Sequence, residues 1–445
     1  MVLEIRSIGG YNEVGKNMTA IRIDNEVLIL DMGIHLENYI RITQEEDVVK
    51  FGVKELIDAG AIPDISMLKE WRSLVSAIIP THAHLDHVGA IPYLANKFAA
   101  PILCTPFTGE VIESILRDER IRLKNPIKKL NVNSRYQVSD TVTVEFLNGT
   151  HSTPQTVIVA IHTPYGVILY ANDFKFDLYP TFGKKPNLKR LEELGKQGKI
   201  HSLIVDSTYA PQRKKTPSES VAQLMLRDVL IGTDSSKKLV VVTTFSSHIA
   251  RLKSIVEYAR KMQRKPVFLG RSLAKYAEAA EKANLINFSE DVEIVKFARK
   301  IKKKLREVNK NKEERRKHLL VVTGHQGEPK SVLSRMINNE FDFEFEPEDH
   351  VVFSCTVIPT QTNLDNRQVM EDKLAKRDVR MFKDIHVSGH AAREDLRDLI
   401  HLVKPQHIIP AHGDFTMTSA LVDLCKDMGY ESVLLLQNGD SIDFT

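Results

Sequence analysis

The chain of 445 residues is 42% apolar and 27% charged, which is typical of a folded globular protein with enough apolar material for two or three domains. No run approaches the length of about 18 apolar residues that a membrane span requires, and the N-terminus lacks the basic and apolar regions of a signal peptide. The formal net charge of +4 is too small to indicate a polyanionic partner by itself.

The cysteines and the distribution of charge give further information about the cellular compartment and the binding partners of the protein. Cys104, Cys355 and Cys425 are scattered and form no CxxC pair, which favours a reduced, cytoplasmic protein whose metal ligands, if it has any, are His and Asp. Residues 296–317 contain twelve Lys or Arg residues against three Glu. This segment is predicted either as a solvated helix with i,i+4 ion pairs or as a surface that faces a polynucleotide.

The first 210 residues are predicted to be mostly β-strands. Short β-branched runs bounded by Gly, Asn, Asp or Pro follow one another, with a helix at TGEVIESILRDERIRL. The predicted strands are VLEIRSIG, MTAIRI, EVLILDMG, VSAIIPTH, PILCT, VTVEFLN, TVIVAIHT, GVILYANDF and HSLIVDST. Several of these runs end in polar residues, namely Asp31, His82, Asp173 and Asp206, and such strand ends are typical of sites in α/β and layered folds.

From about residue 211 the pattern changes to alternating helices and strands. SESVAQLMLRDVLIG and HIARLKSIVEYARKM are predicted amphipathic helices, and KLVVVTTF, KPVFLG, HLLVVTG and HVVFSCTVIP are predicted strands. This alternation predicts a parallel α/β sheet, distinct from the first part of the chain. After about residue 360 short segments return, and SVLLLQNG is predicted as the closing strand.

The sequence THAHLDH, residues 81–87, is the densest cluster of metal-binding side chains. His82 and His84 lie two positions apart and point the same way if the chain is extended, and Asp86 and His87 follow in a turn or helix start. Two adjacent pairs of nitrogen and oxygen donors suit two borderline divalent ions better than one closed tetrahedral site. A metal site is therefore favoured over a polar turn that is merely rich in His.

A site for two ions needs further donors, and the sequence offers them at the ends of predicted strands. His151 lies in the loop NGTHSTPQT, Asp173 follows GVILYAN, and His412 follows a late strand in IIPAHGD. Each alone is typical of a turn residue or a cap, whereas together with the cluster they form a coherent ligand set. Asp31, after VLIL, is predicted to orient a ligand or its water.

These motifs resemble those of a known family. The HxHxDH run with a later His and Asp is similar to the metallo-β-lactamase hydrolases, and DST at 206–208, VSGHA around His390 and PAHGD around His412 resemble motifs of the β-CASP nucleases. GGYNEVGKNM, TTFSSHIAR, TGHQGEP, SCTVIPTQTN and VSGHAAREDLRDLIHLVKPQHIIPAHGD are most similar to the ribonuclease J family in its shorter, archaeal form. The resemblance implies an α/β fold, in which an αββα metallo-β-lactamase sandwich carries an inserted α/β β-CASP domain. The implied domains are residues 1–210 and 361–445 for the sandwich and residues 211–360 for the insertion.

The resemblance also implies the metal ligands. It indicates two Zn²⁺ ions per chain, with Mn²⁺ as the alternative, held by His82, His84 and His151 on one ion, by Asp86, His87 and His412 on the other, and by Asp173 between them. His390 would contact the scissile phosphate, and Asp206 would tie the start of the inserted domain to the site by hydrogen bonds. For His390 the alternative is a loop histidine that caps REDLRDLI, and Asp-Ser-Thr after a strand is also a good turn.

The implied activity is hydrolysis of single-stranded RNA from its 5′ end, with a preference for a 5′-monophosphate and with endonuclease activity as an addition. Ser246 and Ser247, together with Ser388, Gly389 and His390, would form the 5′-monophosphate pocket, whereas an ordinary helix N-cap is the alternative for the first two. Asp31 or Asp86 would handle the proton of the attacking water. The resemblance also implies a homodimer.

Two other functions stay open. One is an mRNA 3′-end processing endonuclease of the same superfamily. Its archaeal members usually carry N-terminal RNA-binding modules, whereas the first predicted strand here begins at residue 2. The other is a small-molecule metallohydrolase, such as a thioesterase or a lactamase. The predicted insertion disfavours that function, because a small substrate needs no such lid.

Overall fold

The computed structural model describes residues 2–45 and 51–444, which form two compact units. The first unit contains Met1–Leu178, Gly183–Thr216 and Ser388–Thr445, and the second contains Tyr179–Phe182 and Pro217–Val387. The second unit is therefore inserted into the chain of the first. The unit borders after Thr216 and Val387 lie beyond the domain boundaries expected at residues 210 and 360, which stay predictions.

The first unit is built on two sheets. One sheet contains β1 (Leu3–Gly9), β2 (Met18–Ile23), β3 (Glu26–Leu30), β4 (Val75–Ile79), β5 (Ile102–Cys104), β6 (Ile127–Lys129) and β19 (Ser441–Asp443), in the order β19-β1-β2-β3-β4-β5-β6. The other contains β7 (Arg135–Gln137), β8 (Thr143–Asn148), β9 (Val157–Thr163), β10 (Gly166–Ala171), β11 (Ile200–Asp206) and β18 (His407–Ala411), in the order β18-β11-β10-β9-β8-β7. In both sheets an antiparallel part continues into parallel strands, β3-β4-β5-β6 in the first and β10-β11-β18 in the second.

The two sheets share one apolar core. Fully buried side chains from the first sheet, such as Ile5 and Leu28, belong to the same cluster as Phe146 and Ile168 from the second. Burial of this apolar surface is the main force that holds the sheets together. Strands covered on both faces need apolar residues at successive positions, which explains runs such as VIVAI in β9.

Helices cover the outer faces of the sandwich. The helices of this unit are α1 (Leu36–Glu45), α2 (Val53–Asp58), α3 (Leu85–Val88), α4 (Ile91–Leu94), α5 (Pro106–Glu119), α6 (Leu188–Lys196), α14 (Arg393–Val403) and α15 (Phe415–Asp427). A second core on the outer face of the β7–β18 sheet joins Leu191, Leu399 and Leu421 from α6, α14 and α15. On the other side, α5 buries Val111 and Ile112 and packs beside β6. This layering confirms the predicted sandwich.

The second unit is an α/β domain with one sheet. Its strands are β12 (Val240–Thr243), β13 (Lys265–Leu269), β14 (Glu293–Val295), β15 (His318–Val322), β16 (His350–Phe353) and β17 (Arg380–Phe382), in the order β14-β13-β15-β12-β16-β17. All five pairings are parallel, as predicted. Its helices are α7 (Glu219–Leu230), α8 (Ile249–Lys261), α9 (Arg271–Lys282), α10 (Ala298–Val308), α11 (Lys312–Arg316), α12 (Val332–Ile337) and α13 (Gln361–Ala375). None of the helices in the described ranges has the length and apolar character needed to cross a membrane.

One strand prediction is wrong. SVLLLQNG was expected as the closing strand, but it makes only a single bridge, between Val433 and Ile408, and the last strand is β19. Val433 packs against the outer core of the second sheet, whereas Leu434 and Leu436 belong to the core between the sheets. The apolar pattern of this segment therefore reflects the burial of its side chains. Its backbone does not form the repeated hydrogen bonds of a strand.

Candidate metal centre

The site lies where the carboxyl ends of the parallel strands of both sheets meet. Asp31 follows β3 directly, and His82 lies in the loop after the neighbouring strand β4. In the other sheet Asp173 follows β10, and His412 follows β18 directly. Carboxyl ends of parallel strands face the same edge of a sheet, so the topology brings distant parts of the chain to one place.

Three of these residues have a left-handed backbone conformation. The φ angles of Asp31, Asp173 and His412 are +58°, +50° and +52°. Such values are uncommon for residues other than glycine and cost about 1–2 kcal/mol each, although Asp and His tolerate them better than most residues. The turns direct the three side chains away from their strands and into the cluster, and backbone strain of this kind is often found at functional sites.

The short helix α3 carries Asp86 and His87 and is fixed by the loops before β2 and after β3. The backbone N–H of Met32 donates to the carbonyl of His87 at 2.8 Å, and that of Asn17 donates to the carbonyl of Asp86 at 3.0 Å. A Cβ atom on Gly33 would lie only 1.6 Å from the Asp86 carbonyl oxygen, so only glycine allows this approach. This packing holds the second half of the THAHLDH motif in position.

Four side chains form the first group of donors: His82, His84, His151 and Asp173. Nδ1 of His84 lies 3.0 Å from Nε2 of His82 and 3.1 Å from Nε2 of His151. Oδ2 of Asp173 lies 3.5 Å from Nε2 of His82 and 3.4 Å from Nε2 of His151. The four atoms therefore converge on one point.

The second group consists of Asp86, His87, His412 and the same Asp173. Oδ1 of Asp173, its other carboxylate oxygen, lies 3.3 Å from Nε2 of His87 and 3.4 Å from Nε2 of His412. Oδ2 of Asp86 lies 3.6 Å from Nε2 of His87 and 3.7 Å from Nε2 of His412. Asp173 thus divides its two oxygens between the two groups.

The distances and the donor types fit divalent ions. Donors about 2.0–2.2 Å from a tetrahedral ion are about 3.3–3.6 Å apart, and the separations in both groups scatter around that value. Oδ1 of Asp173 is buried and makes no hydrogen bond within the described part of the chain. A buried carboxylate oxygen without a donor is costly, and a cation would satisfy it.

Four of the histidines contact an acceptor through the ring nitrogen that faces away from the cluster, whereas at His412 the Gly15 N–H donates to that nitrogen at 3.3 Å. Asp31 Oδ2 lies 2.8 Å from Nδ1 of His87, and the Thr81 hydroxyl, which donates to Asp31 at 2.9 Å, lies 3.1 Å from Nδ1 of His82. Ser152 Oγ lies 3.1 Å from Nε2 of His84. When these acceptors take the ring protons, the inward-facing nitrogens keep their lone pairs, which metal binding requires.

The electrostatics favour neutral histidines in the first group and a positive charge at His87 in the second. Burial lowers the pKa of His84 to about 4 and lowers the pKa values of His82 and His151 well below the usual range. Burial also acts to lower the pKa of His87, but the carboxylates of Asp173, Asp31 and Asp86 outweigh it and raise that pKa well above its usual value. The carboxylates around His87 thus stabilise positive charge, which a divalent cation supplies.

Comparison with known proteins gives matches along almost the whole chain. Three family descriptions match: "Metallo-beta-lactamase superfamily" at residues 11–199, "Ribonuclease J, beta-CASP domain" at 237–371 and "Zn-dependent metallo-hydrolase RNA specificity domain" at 376–435. Ribonuclease J of Methanocaldococcus jannaschii is 43% identical over 448 residues, which cover 100% of this chain and 99% of that protein. The chain belongs to the ribonuclease J family.

Other members of the ribonuclease J family are also similar. Ribonuclease J of Pyrococcus abyssi is 41% identical over 99% of this chain and 97% of that protein. Ribonuclease J2 of Bacillus subtilis is 30% identical over 99% of this chain and 75% of that protein. A solved structure described as a protein of unknown function from Enterococcus faecalis V583 covers 100% of both chains with a TM-score of 0.66 and 17% identity, which supports the fold alone. The predicted family, fold and class of metal-dependent hydrolase are confirmed.

The β-CASP motif residues Asp206 and His390 lie beside the two donor groups. Nδ1 of His390 contacts Oδ2 of Asp206 at 2.8 Å, and its Nε2 lies 3.9 Å from Oδ2 of Asp173. Burial by itself would lower the pKa of His390, but Asp173 and Asp206 outweigh it and raise the pKa to about 10. The side chain of His390 is 22% exposed, whereas the carboxylates of Asp206 and Asp173 beside it are buried.

The residues expected to bind a 5′-phosphate belong to different units. Ser246 and Ser247 belong to the second unit, and Ser388 and Gly389 belong to the first. The N-cap of α8 is His248, so neither serine caps this helix, and the Ser247 hydroxyl makes no hydrogen bond within the described residues. The Gly389 carbonyl contacts Nδ1 of His151 at 2.8 Å. The phosphate pocket itself stays a prediction for this member of the ribonuclease J family.

Sequence reasoning missed several supporting residues of the site. Thr81 and Ser152 adjoin His82 and His151 in the chain, and their hydroxyls contact imidazoles. Tyr209 stacks on His390, with ring centroids 5.6 Å apart and an angle of 4° between the planes. Thr81 and Ser152 could have been found from the sequence, because each lies beside a ligand histidine. Tyr209 directly follows the DST motif at 206–208, but its contact with His390, which is far away in the sequence, had no such local signal.

Proposed function

We propose that this chain is a metal-dependent 5′–3′ exoribonuclease that prefers RNA with a 5′-monophosphate and contributes to RNA decay and maturation in the cytoplasm. The observation that carries the proposal is the division of the Asp173 carboxylate between two converging groups of histidines. Membership of the ribonuclease J family supports RNA as the substrate. The proposed cofactors are two Zn²⁺ ions, with Mn²⁺ as the alternative.

The proposed ligands are the two groups described above. His82, His84, His151 and Asp173 would hold one ion, and Asp86, His87, His412 and Asp173 the other. When bound, a pair of divalent ions supplies Lewis acidity that activates a water and offsets the charge of the attacking and leaving oxygens of a phosphodiester. The remaining roles in the proposed reaction fall to side chains of the protein.

Asp86 suits the proton of the attacking water better than Asp31 does. The Asp31 side chain is fully buried, and both of its oxygens already accept hydrogen bonds, from Thr81 and from His87. The Asp86 side chain is 26% exposed and lies beside the second group of donors. We therefore assign Asp86 to the proton and Asp31 to the orientation of His87.

His390 suits the phosphate or the leaving oxygen. Nδ1 of the ring donates to Asp206, which fixes the ring, and the negative charges of Asp206 and Asp173 favour the doubly protonated imidazole, in which Nε2 also carries a proton. A positively charged imidazole at that place can hold a phosphate oxygen and can donate a proton to the departing 3′-oxygen.

The test uses one RNA oligonucleotide labelled at its 3′ end and prepared with a 5′-monophosphate, a 5′-triphosphate or a 5′-hydroxyl. Each is incubated with protein loaded with zinc or manganese. We expect progressive shortening from the 5′ side, fastest with the monophosphate. Internal cuts that ignore the 5′ end would instead indicate an endonuclease. No cleavage of any RNA, together with hydrolysis of esters or lactams, would contradict the proposal.

Replacing Asp31 by asparagine is expected to weaken metal binding about 10–100-fold, as is typical when the partner of a ligand histidine is lost. An amide has one acceptor oxygen where the carboxylate has two, so either Thr81 or His87 would face an N–H group. The measurement is a zinc titration against a chromogenic chelator. Asp140→Asn, at an exposed turn, is the matched control and should bind zinc like the parent. Parent affinity in Asp31→Asn would remove the assigned role.

Ser247→Ala is expected to reduce the preference for 5′-monophosphate over 5′-hydroxyl RNA about 10-fold, because a hydrogen bond to a charged group contributes about 1.5–3 kcal/mol. The measurement is the ratio of kcat/KM for the two RNAs. Ser236→Ala, at an exposed position of the same unit, should leave the ratio unchanged. If Ser247→Ala keeps the parent ratio, the proposed phosphate pocket is wrong.

A further inference from the structure

The basic segment, residues 296–317, contains none of the proposed ligands or pocket residues and forms a surface of the second unit. It holds twelve Lys or Arg residues and three Glu, whereas the whole chain holds 62 Lys or Arg and 58 Asp or Glu. Outside this segment acidic residues therefore outnumber basic ones. The positive charge of the protein is concentrated in α10, α11 and the residues that flank them.

Helix α10 separates its apolar and basic residues. Ile301, Leu305 and Val308 are buried in the core of the second unit. Arg299, Lys300 and Lys303 are exposed. Residues three and four positions apart are neighbours on a helix surface, so these three cations form one patch.

The cations of the segment differ in how they are compensated. The paired ones are Lys296 with Glu278, Lys302 and Arg306 with Asp342, Lys304 with Glu293 and Glu307, Arg315 with Asp349, and Arg316 and Lys317 with Glu313. By contrast, Arg299, Lys300, Lys303, Lys310 and Lys312 have no acidic side chain within 4.0 Å among the described residues. The nearby acidic side chains thus form ion pairs with the first seven cations, whereas the other five cations face solvent.

This arrangement is unfavourable for the isolated protein. Like charges three and four positions apart repel each other, and cations in the first turn are opposed by the helix dipole. The first turn of α10 contains no acidic residue, whereas α11 begins with Glu313 and Glu314. A polyanion bound to this face would remove the repulsion.

An exposed aromatic side chain adjoins the patch. Phe297 is 59% exposed and stands at the N-cap position of α10, within three residues of Arg299 and Lys300. A flat apolar ring beside cations is the combination that binds single-stranded nucleic acids, because bases stack on the ring while cations contact phosphates. An acidic protein would match the charge but would not require the ring.

We infer that the second unit binds RNA through residues that include none of the metal ligands. These residues, here called the α10 surface, are Phe297, Arg299, Lys300, Lys303, Lys310 and Lys312. The cations contact the sugar–phosphate backbone, and Phe297 stacks on an unpaired base. A helix of eleven residues is about 16 Å long, which allows contact with consecutive phosphates. The inference rests on the proposed function, since it takes the substrate of the enzyme as the ligand.

The test compares two triple variants with the parent in a binding assay. The surface variant is Arg299→Ala/Lys300→Ala/Lys303→Ala, and the control is Lys237→Ala/Lys282→Ala/Lys376→Ala, three exposed cations elsewhere in the second unit. Binding of a fluorescent single-stranded RNA is followed by anisotropy in the presence of a chelator, at several salt concentrations. The surface variant should bind at least about 10-fold more weakly at 0.1 M salt, with a salt slope reduced by about 2, and the control should match the parent.

A single variant tests the stacking role. Phe297→Ala should bind single-stranded RNA at least about 5-fold more weakly and bind duplex RNA like the parent, because a paired base cannot stack on the ring.

If the surface variant and the control bind RNA with equal affinity and equal salt slope, the inference is wrong. It is also wrong if the α10 surface binds an acidic protein and does not bind RNA. Cleavage by the parent is scored separately. A parent that cleaves RNA while the surface variant binds normally contradicts only this inference, whereas a parent that neither binds nor cleaves RNA contradicts the proposed function as well.

Discussion

His84→Ala is expected to lower the cleavage rate of 5′-monophosphorylated RNA by about 10⁴-fold, since a metal ion contributes several kcal/mol of transition-state stabilisation. Nδ1 of His84 lies 3.0 Å from Nε2 of His82 and 3.1 Å from Nε2 of His151, in the middle of the first group of donors. Alanine removes this donor and leaves two imidazoles beside Asp173. The rate is measured with RNA labelled at its 3′ end.

The metal content of the same variant gives a second, independent measurement. The second group of donors is intact in His84→Ala, so we expect mass spectrometry of the desalted protein to find about one ion per chain instead of two. His401→Ala, an exposed histidine on α14, makes the same chemical change outside the site and should keep the rate and both ions. A His84→Ala protein with the parent rate would contradict the metal assignment.

His390→Ala is expected to lower kcat about 10²–10⁴-fold, the usual contribution of a general acid, while the metal content stays at the parent value. His390 is absent from both four-residue donor groups, although it lies with Asp206 and His412 in a third group of possible donors, and its ring is held by Asp206 at 2.8 Å. We therefore expect His390→Ala to lose activity but no metal ion, whereas His84→Ala loses both activity and one ion. Metal analysis and single-turnover cleavage of the same preparation distinguish the two cases.

Asp206→Asn completes the comparison. It keeps the imidazole of His390 but removes the negative charge beside it, so we expect a loss of kcat smaller than that of His390→Ala. Combined in one protein, the two changes should cost little more than His390→Ala alone, because both act through one ring. Loss of a metal ion from His390→Ala, or a kcat equal to that of the parent, would remove the proposed role.

The local motif was predictable because its chemistry lies in neighbouring residues. His82, His84, Asp86 and His87 occur within six positions, and their spacing alone indicates two pairs of donors. The predicted helix start is also present, since α3 begins at Leu85. The apolar runs of the sandwich strands predicted their positions because burial on both faces leaves a continuous signal in the sequence.

Some residue roles that the sequence left open depend on how deeply a side chain is buried and on which groups it hydrogen-bonds. Asp31 and Asp86 were equal candidates for a proton, and they differ only in that Asp31 is enclosed by Thr81 and His87 while Asp86 is partly exposed. Ser247 was compatible with an N-cap, and the structure gives that position to His248. Neither difference leaves a trace in residue type or spacing.

The sequence by itself determined the kinds of donor atoms, their association with strand ends, and the family to which the chain belongs. Only the tertiary structure decided that the two oxygens of Asp173 face different groups, and that Oδ2 of Asp31 contacts Nδ1 of His87. The physical reason is that these contacts join the ends of strands from two sheets that are far apart in the chain. Local conformational preferences act over a few residues, whereas the packing of the shared core sets which strand ends meet.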